Sequence, residues 1–257
     1  DLHSFPTRRS SDLQLGQSPA TSTTTAGGAT PAATTPTAPE PISPTYHEPA
    51  ASNTALSAGI WSGAIGDKEV TLKGAYIVDG VTATLDGGTW ESTTADQAVF
   101  LVVNGGSLTL TNAAVVKSGD ATSNGNTGVD DSYNFYGLNS AVVVVGAGSS
   151  VSLNETTLET TSSGSNAVVA TGTATATVTA CAVSTSGESS RGLHATYEGV
   201  ITASDLSINT LGAHCAAVAT DRGNGTVTVE GTNTFTTAED DSSWRSEERR
   251  VGKECRS

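Results

Sequence analysis

Ser140-Ala-Val-Val-Val144, Asn166-Ala-Val-Val-Ala170, Arg191-Gly-Leu-His-Ala195 and Cys215-Ala-Ala-Val-Ala219 are the four segments that decide the fold of this chain. Their second residues, at positions 141, 167, 192 and 216, are 26, 25 and 24 residues apart. A fixed period of this length is typical of proteins whose repeated units stack on one another. The four segments therefore predict a solenoid with coils of about 25 residues.

Two further apolar segments recur in each unit, always in the same order. The first occurs as Val151-Ser-Leu153, Val178-Thr-Ala180, Ile201-Thr-Ala203 and Val227-Thr-Val229. The second occurs as Leu158-x-Thr160, Val183-x-Thr185, Ile208-x-Thr210 and Phe235-x-Thr237. Three short strands in each unit predict an all-β fold, a right-handed parallel β-helix.

One further coil lies upstream of these four, and an insertion follows it. Ala98 precedes Ala141 by 43 residues, which is one coil plus a surplus of 18. The surplus matches Asp120–Gly137, a Gly/Asn/Asp-rich stretch without a strand pattern. The coils before Ala98 are less regular, so we expect the N-terminal end of the solenoid there, with Trp61 and Trp90 covering its core.

The two ends of the chain differ in composition from the repeats. One codon choice for residues 1–13 has a reverse complement that encodes residues 245–257 residue for residue, and this DNA looks like a sequencing adaptor. We therefore interpret both peptides as adaptor-derived artefacts. Residues 14–57 contain most of the prolines and few large apolar side chains, which predicts a disordered N-terminal segment, a Ser/Thr/Pro/Ala-rich linker. The β-helix then covers residues 58–244.

The repeat pattern has no capping unit at its C-terminal end. We expect the solenoid to be truncated there, and residues 245–257 to have no native contact partner. An uncapped coil presents unpaired strand edges, so this coil is expected to be prone to self-association.

The charge of the chain excludes one class of partner. The net charge is −14, and residues 14–244 contain only five Lys and Arg against 21 Asp and Glu. Nucleic acid is therefore not expected as a partner, since phosphate binding needs clustered cations. No apolar run approaches the roughly 18 residues of a membrane span.

The dipeptide Asp221-Arg222 is the sharpest candidate for a surface-binding site. Aligning Thr196 with Thr220 places Glu198 beside Arg222 on the neighbouring coil. An ordinary cross-strand ion pair explains this arrangement at least as well as a binding site.

The insertion supplies the other candidates, Asp130 and Asp131. Together with Asp120, Asn124 and Asn126 they offer oxygen ligands for Ca²⁺. Their spacing fits no calcium-binding loop, and Gly, Asn and Asp are also common in turns. The favoured interpretation is a solvated loop, so no metal, cofactor-binding or catalytic residue is assigned.

Three residues, His194, Cys181 and Cys215, are interpreted as structural. His194 occupies a position that valine fills in other coils. Cys181 aligns with Leu206 and Cys215 with Arg191, which places the two cysteines in different strands of the coil. We therefore expect no disulfide between them.

Hydroxyl side chains recur on one predicted sheet. Ser107-x-Thr109, Ser150-x-Ser152, Thr177-x-Thr179 and Thr226-x-Thr228 come into register, and Val200-x-Thr202 interrupts them. Such arrays resemble those of ice-binding β-solenoids, although Ser and Thr are also favourable on any exposed strand.

The repeats, the acidic Thr/Ser/Gly-rich composition and the upstream linker together resemble bacterial cell-surface β-helix proteins of the adhesin-like and pectin-lyase-like group. This resemblance implies a secreted or cell-surface, non-enzymatic module that binds glycans or host surfaces, or acts as a spacer. A polysaccharide lyase or hydrolase with active coils outside this sequence is the alternative, and ice binding is the second. The Gly-His-Gly and Arg-Ile-Lys elements of polygalacturonases are absent.

Overall fold

The computed structural model describes residues 47–125, 128–238 and 245–247. They form a parallel β-solenoid of about six coils with about 25 residues in each coil. The predicted all-β solenoid is therefore confirmed.

The strands follow one another three to a coil. The N-terminal strands are β1 (Gly59–Ile65), β2 (Lys68–Asp79), β3 (Thr82–Asp86), β4 (Thr89–Ser92), β5 (Ala98–Val103), β6 (Ser107–Thr111) and β7 (Ala114–Lys117). The insertion then contains β8 (Asn124–Gly125), β9 (Gly128–Val129) and the helix α1 (Ser132–Tyr136). The next two coils contain β10 (Val142–Val145), β11 (Ser150–Asn154), β12 (Thr157–Thr160), β13 (Val168–Thr171), β14 (Thr175–Thr179) and β15 (Ala182–Thr185). The last strands are β16 (Leu193–Thr196), β17 (Val200–Ser204), β18 (Ser207–Thr210), β19 (Val218–Thr220), β20 (Thr226–Glu230), β21 (Thr234–Thr237) and β22 (Arg245–Glu247).

Three sheets run along the solenoid, one for each strand position in the coil. Sheet A has the order β1-β2-β5-β10-β13-β16-β19-β22, sheet B the order β3-β6-β11-β14-β17-β20, and sheet C the order β4-β7-β12-β15-β18-β21. All neighbours within the three sheets pair in parallel except β1 and β2, which form an antiparallel hairpin. Like residues of successive coils therefore stack in rows.

The register of sheet A corrects the predicted spacing of the last coil. Val142 pairs with Val168, Val168 with Leu193, and Leu193 with Val218. The third step is therefore 25 residues and not 24. The small residues of Cys215–Ala219 fit either register by size, so the sequence alone left the position ambiguous by one residue.

The interior of the solenoid is filled by inward-facing aliphatic side chains from all three sheets. At its N-terminal end three aromatic rings pack together, with ring centroids 5.0 Å apart for Tyr76 and Trp90 and 5.6 Å apart for Trp90 and Phe100. Trp90 therefore covers the core as predicted. Trp61 does not, because it packs on the outer face of sheet A and donates a hydrogen bond to Asn104.

The residues just before β1 are part of the folded structure. The amides of Ala50 and Thr54 donate to the carbonyls of Asp86 and Thr84 on the edge strand β3, at 2.8 and 3.1 Å. This pairing covers the N-terminal edge of sheet B. The predicted linker boundary at residue 57 is therefore too late, since residues 47–57 pack on the first coil, and residues 14–46 lie outside the described part of the chain.

The C-terminal end differs from the prediction in one respect. Strand β22 pairs in parallel with β19 and extends sheet A by one strand. The expectation that residues 245–257 have no contact partner is therefore wrong for Arg245–Glu247. Residues 239–244 and 248–257 lie outside the described residues.

A hydroxyl and thiol network closes the corner between sheets C and A in each coil. Thr185 Oγ1 donates to the carbonyl of Ser190 at 2.7 Å, and Thr210 Oγ1 donates to the carbonyl of Cys215 at 2.9 Å. The amide of Ser190 donates to Cys215 Sγ at 3.0 Å. Cys215 therefore stands opposite Ser190, not Arg191 as aligned, and its thiol has a structural role at this corner.

Cys181 lies at the corner between β14 and β15, away from the corner that holds Cys215; the two cysteines are apart as predicted, but at corners and not in strands. Burial raises the pKa of the Cys181 thiol to about 11, against the opposing effect of hydrogen bonds with the backbone. Both cysteines are buried, and they do not bond to each other.

Candidate binding groove

A groove lies on the outer face of sheet A, between the β1–β2 hairpin and the insertion. Its volume is about 660 Å³, within the range of ligand-binding clefts. The hairpin contributes its turn, and the insertion contributes α1 and the residues just before it. The principal lining residues are Asp67, Lys68, Glu69, Asp130, Asp131, Ser132, Phe135, Tyr136, Tyr197 and Arg222.

The floor of the groove is a second apolar layer outside the solenoid. The valine runs of β5, β10 and β13 are buried on both faces of sheet A. Leu101, Val143 and Val169 face outward and pack against Ile65 and Leu72 of the hairpin in one cluster. The continuous apolar runs of this sheet therefore serve two cores, one on each face.

The insertion is held in place by Asp96, which lies in the preceding coil. Asp96 accepts hydrogen bonds from the hydroxyl of Tyr133 at 2.6 Å and from the amide and hydroxyl of Thr122. Burial opposes the charged carboxylate, but these hydrogen bonds outweigh it and lower the pKa of Asp96. The described part of the stretch expected to be a solvated loop, residues 120–125 and 128–137, is therefore folded and contains the buried Tyr133.

Two stacked tyrosines form the aromatic wall of the groove. The rings of Tyr136 and Tyr197 are nearly parallel, with centroids 5.6 Å apart, and their hydroxyl oxygens are 3.3 Å apart. Burial and the hydrogen bond with Tyr136 raise the pKa of Tyr197 to about 12, so its hydroxyl is neutral under ordinary conditions. Both rings are half-buried, with part of their surface accessible from the groove.

Glycines leave the space that the Tyr197 ring occupies. Gly66, in the hairpin turn, and Gly223, in the next coil, both have positive φ angles of 61° and 73°. A Cβ at Gly223 would lie 2.9 Å from the Tyr197 ring, and one at Gly66 would clash with it. The hairpin and the coil therefore approach the ring closely because neither carries a side chain there.

Three of the four predicted site residues line the groove. Asp130, Asp131 and Arg222 meet there, although Asp130 and Arg222 are 92 residues apart in sequence. The guanidinium of Arg222 lies 4.1 Å from the centroid of the Phe135 ring, a cation–π contact. Asp221 does not line the groove, and its carboxylate accepts a hydrogen bond from the Arg222 amide at 2.8 Å.

The predicted pairing of Glu198 with Arg222 is wrong in register. Ala195 pairs with Thr220, and the amides of Tyr197 and Glu198 donate to the carbonyls of Arg222 and Gly223. Tyr197, and not Glu198, is therefore the neighbour of Arg222 across the two coils. The wrong pairing follows from the predicted step of 24 residues between the last two coils, where the structure has 25.

Two of the predicted calcium ligands, Asp120 and Asp130, have protein partners in the structure. The carboxylate of Asp120 accepts the Ser163 amide at 2.9 Å, and that of Asp130 accepts the Ser132 amide at 2.8 Å. The bond with Ser132 lowers the pKa of Asp130. Among the described residues no group of three His, Cys, Asp or Glu is placed to hold a metal ion, and Asn126 lies outside them.

Beneath α1 lies an unusual pair of polar side chains. His194 is fully buried in the outward-facing row of Val143 and Val169, and neither ring nitrogen has a hydrogen-bond partner within the described part of the chain. Burial, with a smaller effect of Arg191, lowers the pKa of His194 well below its usual value. Arg191 is itself close to the carboxylates of Asp221 and Asp131, which oppose the effect of burial on its pKa.

The tyrosines and the hairpin turn were not predicted from the sequence as parts of a site. One signal was available, because only 5% of the chain is aromatic and yet Tyr133, Phe135 and Tyr136 lie within four residues of the insertion. Tyr197 and Asp67 carried no such signal, since they reach the groove only through the packing of the hairpin on sheet A.

The outer face of sheet B carries an exposed row of hydroxyl side chains. Its members pair in register through six coils, and they are Thr84, Thr109, Ser152, Thr177, Thr202 and Thr228. The predicted alignment placed Thr177-x-Thr179 in this array, whereas the structure places Thr175-x-Thr177 there. Val200 interrupts only the neighbouring row, so this one is unbroken.

Searches of protein-family models, curated proteins and solved structures find no match to this chain. Its own geometry is therefore the basis for a functional proposal. Within the described residues, no helix has both the length and the apolarity to cross a membrane.

Proposed function

We propose that this chain is a non-enzymatic, adhesin-like module of the cell surface or the extracellular space, and that it binds glycans in the groove on sheet A. The stacked pair of Tyr136 and Tyr197 is the observation that carries this proposal. Tyrosine rings offer an apolar face and a polar edge, which suits the C–H faces and hydroxyl groups of a sugar ring. The groove has the volume for such a ligand.

The charges around the groove favour one class of glycan. Asp67, Glu69, Asp130 and Asp131 line it with four carboxylates, against the two cations Lys68 and Arg222. Carboxylates accept hydrogen bonds from sugar hydroxyls and attract ammonium groups, but they repel uronate and sialic acid carboxylates. We therefore expect neutral or amino sugars and not acidic polysaccharides.

Binding to a glycan array, with the full chain as the probe, tests this proposal. Neutral cello-oligosaccharides, N-acetylchito-oligosaccharides and chitosan oligosaccharides should be retained, and oligogalacturonate should not. Asp131→Ala, at an exposed lining position, should weaken the binding of chitosan oligosaccharides more than that of their neutral counterparts. Absence of binding across the array, or preference for uronates, would contradict the proposal.

The tyrosine pair gives a matched set of variants. Tyr197→Ala should weaken binding about tenfold or more, the scale of a residue at the centre of a binding site. Tyr197→Phe keeps the ring and should stay close to the unaltered chain. Release of shorter oligosaccharides during incubation would contradict the non-enzymatic part of the proposal.

The hydroxyl row of sheet B favours a second candidate, ice binding. Six hydroxyl side chains, five of them exposed and that of Ser152 half-buried, stack at the strand spacing of roughly 4.8 Å, which presents a regular array to water. The freezing-point hysteresis of the full chain, compared with that of Thr177→Tyr, tests it. Hysteresis that Thr177→Tyr abolishes would favour this candidate, and its absence from the full chain would remove it.

A further inference from the structure

A second cavity adjoins the groove on the far side of Tyr197. It has a volume of about 320 Å³ and is lined by Thr173, Glu198 and Asn224 together with glycine backbone. Tyr197 lines both cavities, and the two are therefore separated by one side chain. The second cavity supplies a hydroxyl, a carboxylate and a carboxamide, all of which can bond to a polar ligand.

The corner of the coil itself does not require a large ring at this position. Val145 pairs with Thr171, and Thr171 with Thr196, so the following residues Gly146, Gly172 and Tyr197 occupy one row at the corner after sheet A. Two preceding coils form the same corner with glycine. The ring of Tyr197 therefore projects, between two cavities, from a row in which the two preceding coils carry no side chain.

We infer that the groove and the second cavity form one extended cleft with two subsites, divided by Tyr197, for an oligosaccharide chain that passes the ring. This inference rests on the proposed glycan binding and specifies it. Stacking on the tyrosines holds the chain in the larger subsite, and hydrogen bonds to Glu198 and Asn224 hold the part that extends into the smaller one. A ligand too short to reach the smaller subsite gains only the first set of contacts.

The dependence of affinity on ligand length tests this inference. The probes are cello-, N-acetylchito- and chitosan oligosaccharides, each from the dimer to the hexamer, titrated against the full chain. Affinity should rise by about tenfold or more at the length that first reaches the second subsite. It should then change little with further residues.

A double substitution removes the polar groups of the smaller subsite without straining its backbone. Glu198 and Asn224 both have a φ of 63°, which glycine adopts freely, so Glu198→Gly with Asn224→Gly preserves the corner. The variant should keep the affinity for dimers and lose the gain with length. Glu155→Gly is the matched control, since Glu155 is an exposed glutamate with a φ of 48° at a corner far from the cleft.

The outcomes separate the two proposals. Equal affinity at all lengths, or the same gain with length in the double variant as in the unaltered chain, would overturn the two-subsite cleft and leave glycan binding intact. Failure of all three series to bind would overturn the cleft together with the proposed glycan function.

Discussion

Sheets A and B belong to the same coils, yet their outer faces are opposites. On sheet A the outward row of Leu101, Val143 and Val169 is buried under the hairpin and the insertion. On sheet B the outward row from Thr84 to Thr228 is open to solvent. One repeat therefore supports a covered face that carries a groove and a bare face that carries hydroxyls.

The local sequence pattern accounts for the difference between the two outer faces. Ala98–Val103 and Val142–Val145 are unbroken apolar runs, as expected for strands that are covered on both faces. Ser150–Asn154 alternates polar and apolar residues, as expected for a strand with one solvated face. The apolar runs thus indicate where a second layer must pack, although they do not indicate which segment supplies it.

The largest expected effect comes from truncating the covered outer face. Leu101→Ala should lower the free energy of unfolding by about 2–5 kcal/mol, as for any fully buried leucine, because the outer layer packs as a true core. Leu153→Ala, inside the solenoid, provides the matched comparison and should cost a similar amount. Denaturant unfolding of both variants measures this. A cost for Leu101→Ala near that of a surface substitution would show that the hairpin and insertion do not form a second core.

Much of the fold could be predicted from the sequence because its coils repeat. Most of the groove could not, because the residues that form it are not part of the repeat pattern. The coil length followed from four aligned segments. The register of the last coil was misplaced by one residue, since alanine-rich Cys215–Ala219 fits two alignments. The register of Thr175–Thr179 was misplaced by two residues, since its threonines alternate. Periodicity carries no information about the bond between Tyr133 and Asp96, which are 37 residues apart.

The second prediction concerns the polar residue in the covered row. His194→Val should raise the free energy of unfolding at neutral pH by about 1–3 kcal/mol, because it replaces two buried nitrogens that have no hydrogen-bond partner among the described residues. Valine already occupies this row at Val143 and Val169, so the volume is accommodated. Thermal unfolding at neutral pH measures the gain. No gain, or a loss, would indicate that the histidine has a partner in solution.

The burial of His194 also predicts that the free energy of unfolding falls at acidic pH. Since burial lowers the pKa of His194, the unfolded chain binds a proton that the folded chain does not once the pH falls below the ordinary value of about 6.5. The stability contributed by the neutral ring is therefore present above that pH and is lost as the pH falls. Thermal unfolding between about pH 7.5 and pH 5 should show this loss, and His194→Val should show less of it. A loss of the same size in His194→Val as in the unaltered chain would contradict this prediction.

The smallest expected effect lies on the open face of sheet B. Thr177→Ala should change the free energy of unfolding by no more than about 0.5 kcal/mol, because the side chain is exposed. Ser150→Ala sharpens the comparison, since its hydroxyl donates to Ser107 Oγ at 3.0 Å and should cost slightly more, about 0.5–1 kcal/mol. If Thr177→Ala cost as much as Leu101→Ala, the hydroxyl row would be a structural element of the solenoid. If Thr177→Ala retained its stability, the folding of the solenoid would not explain why the hydroxyl row is regular. That result would favour a binding role for the row.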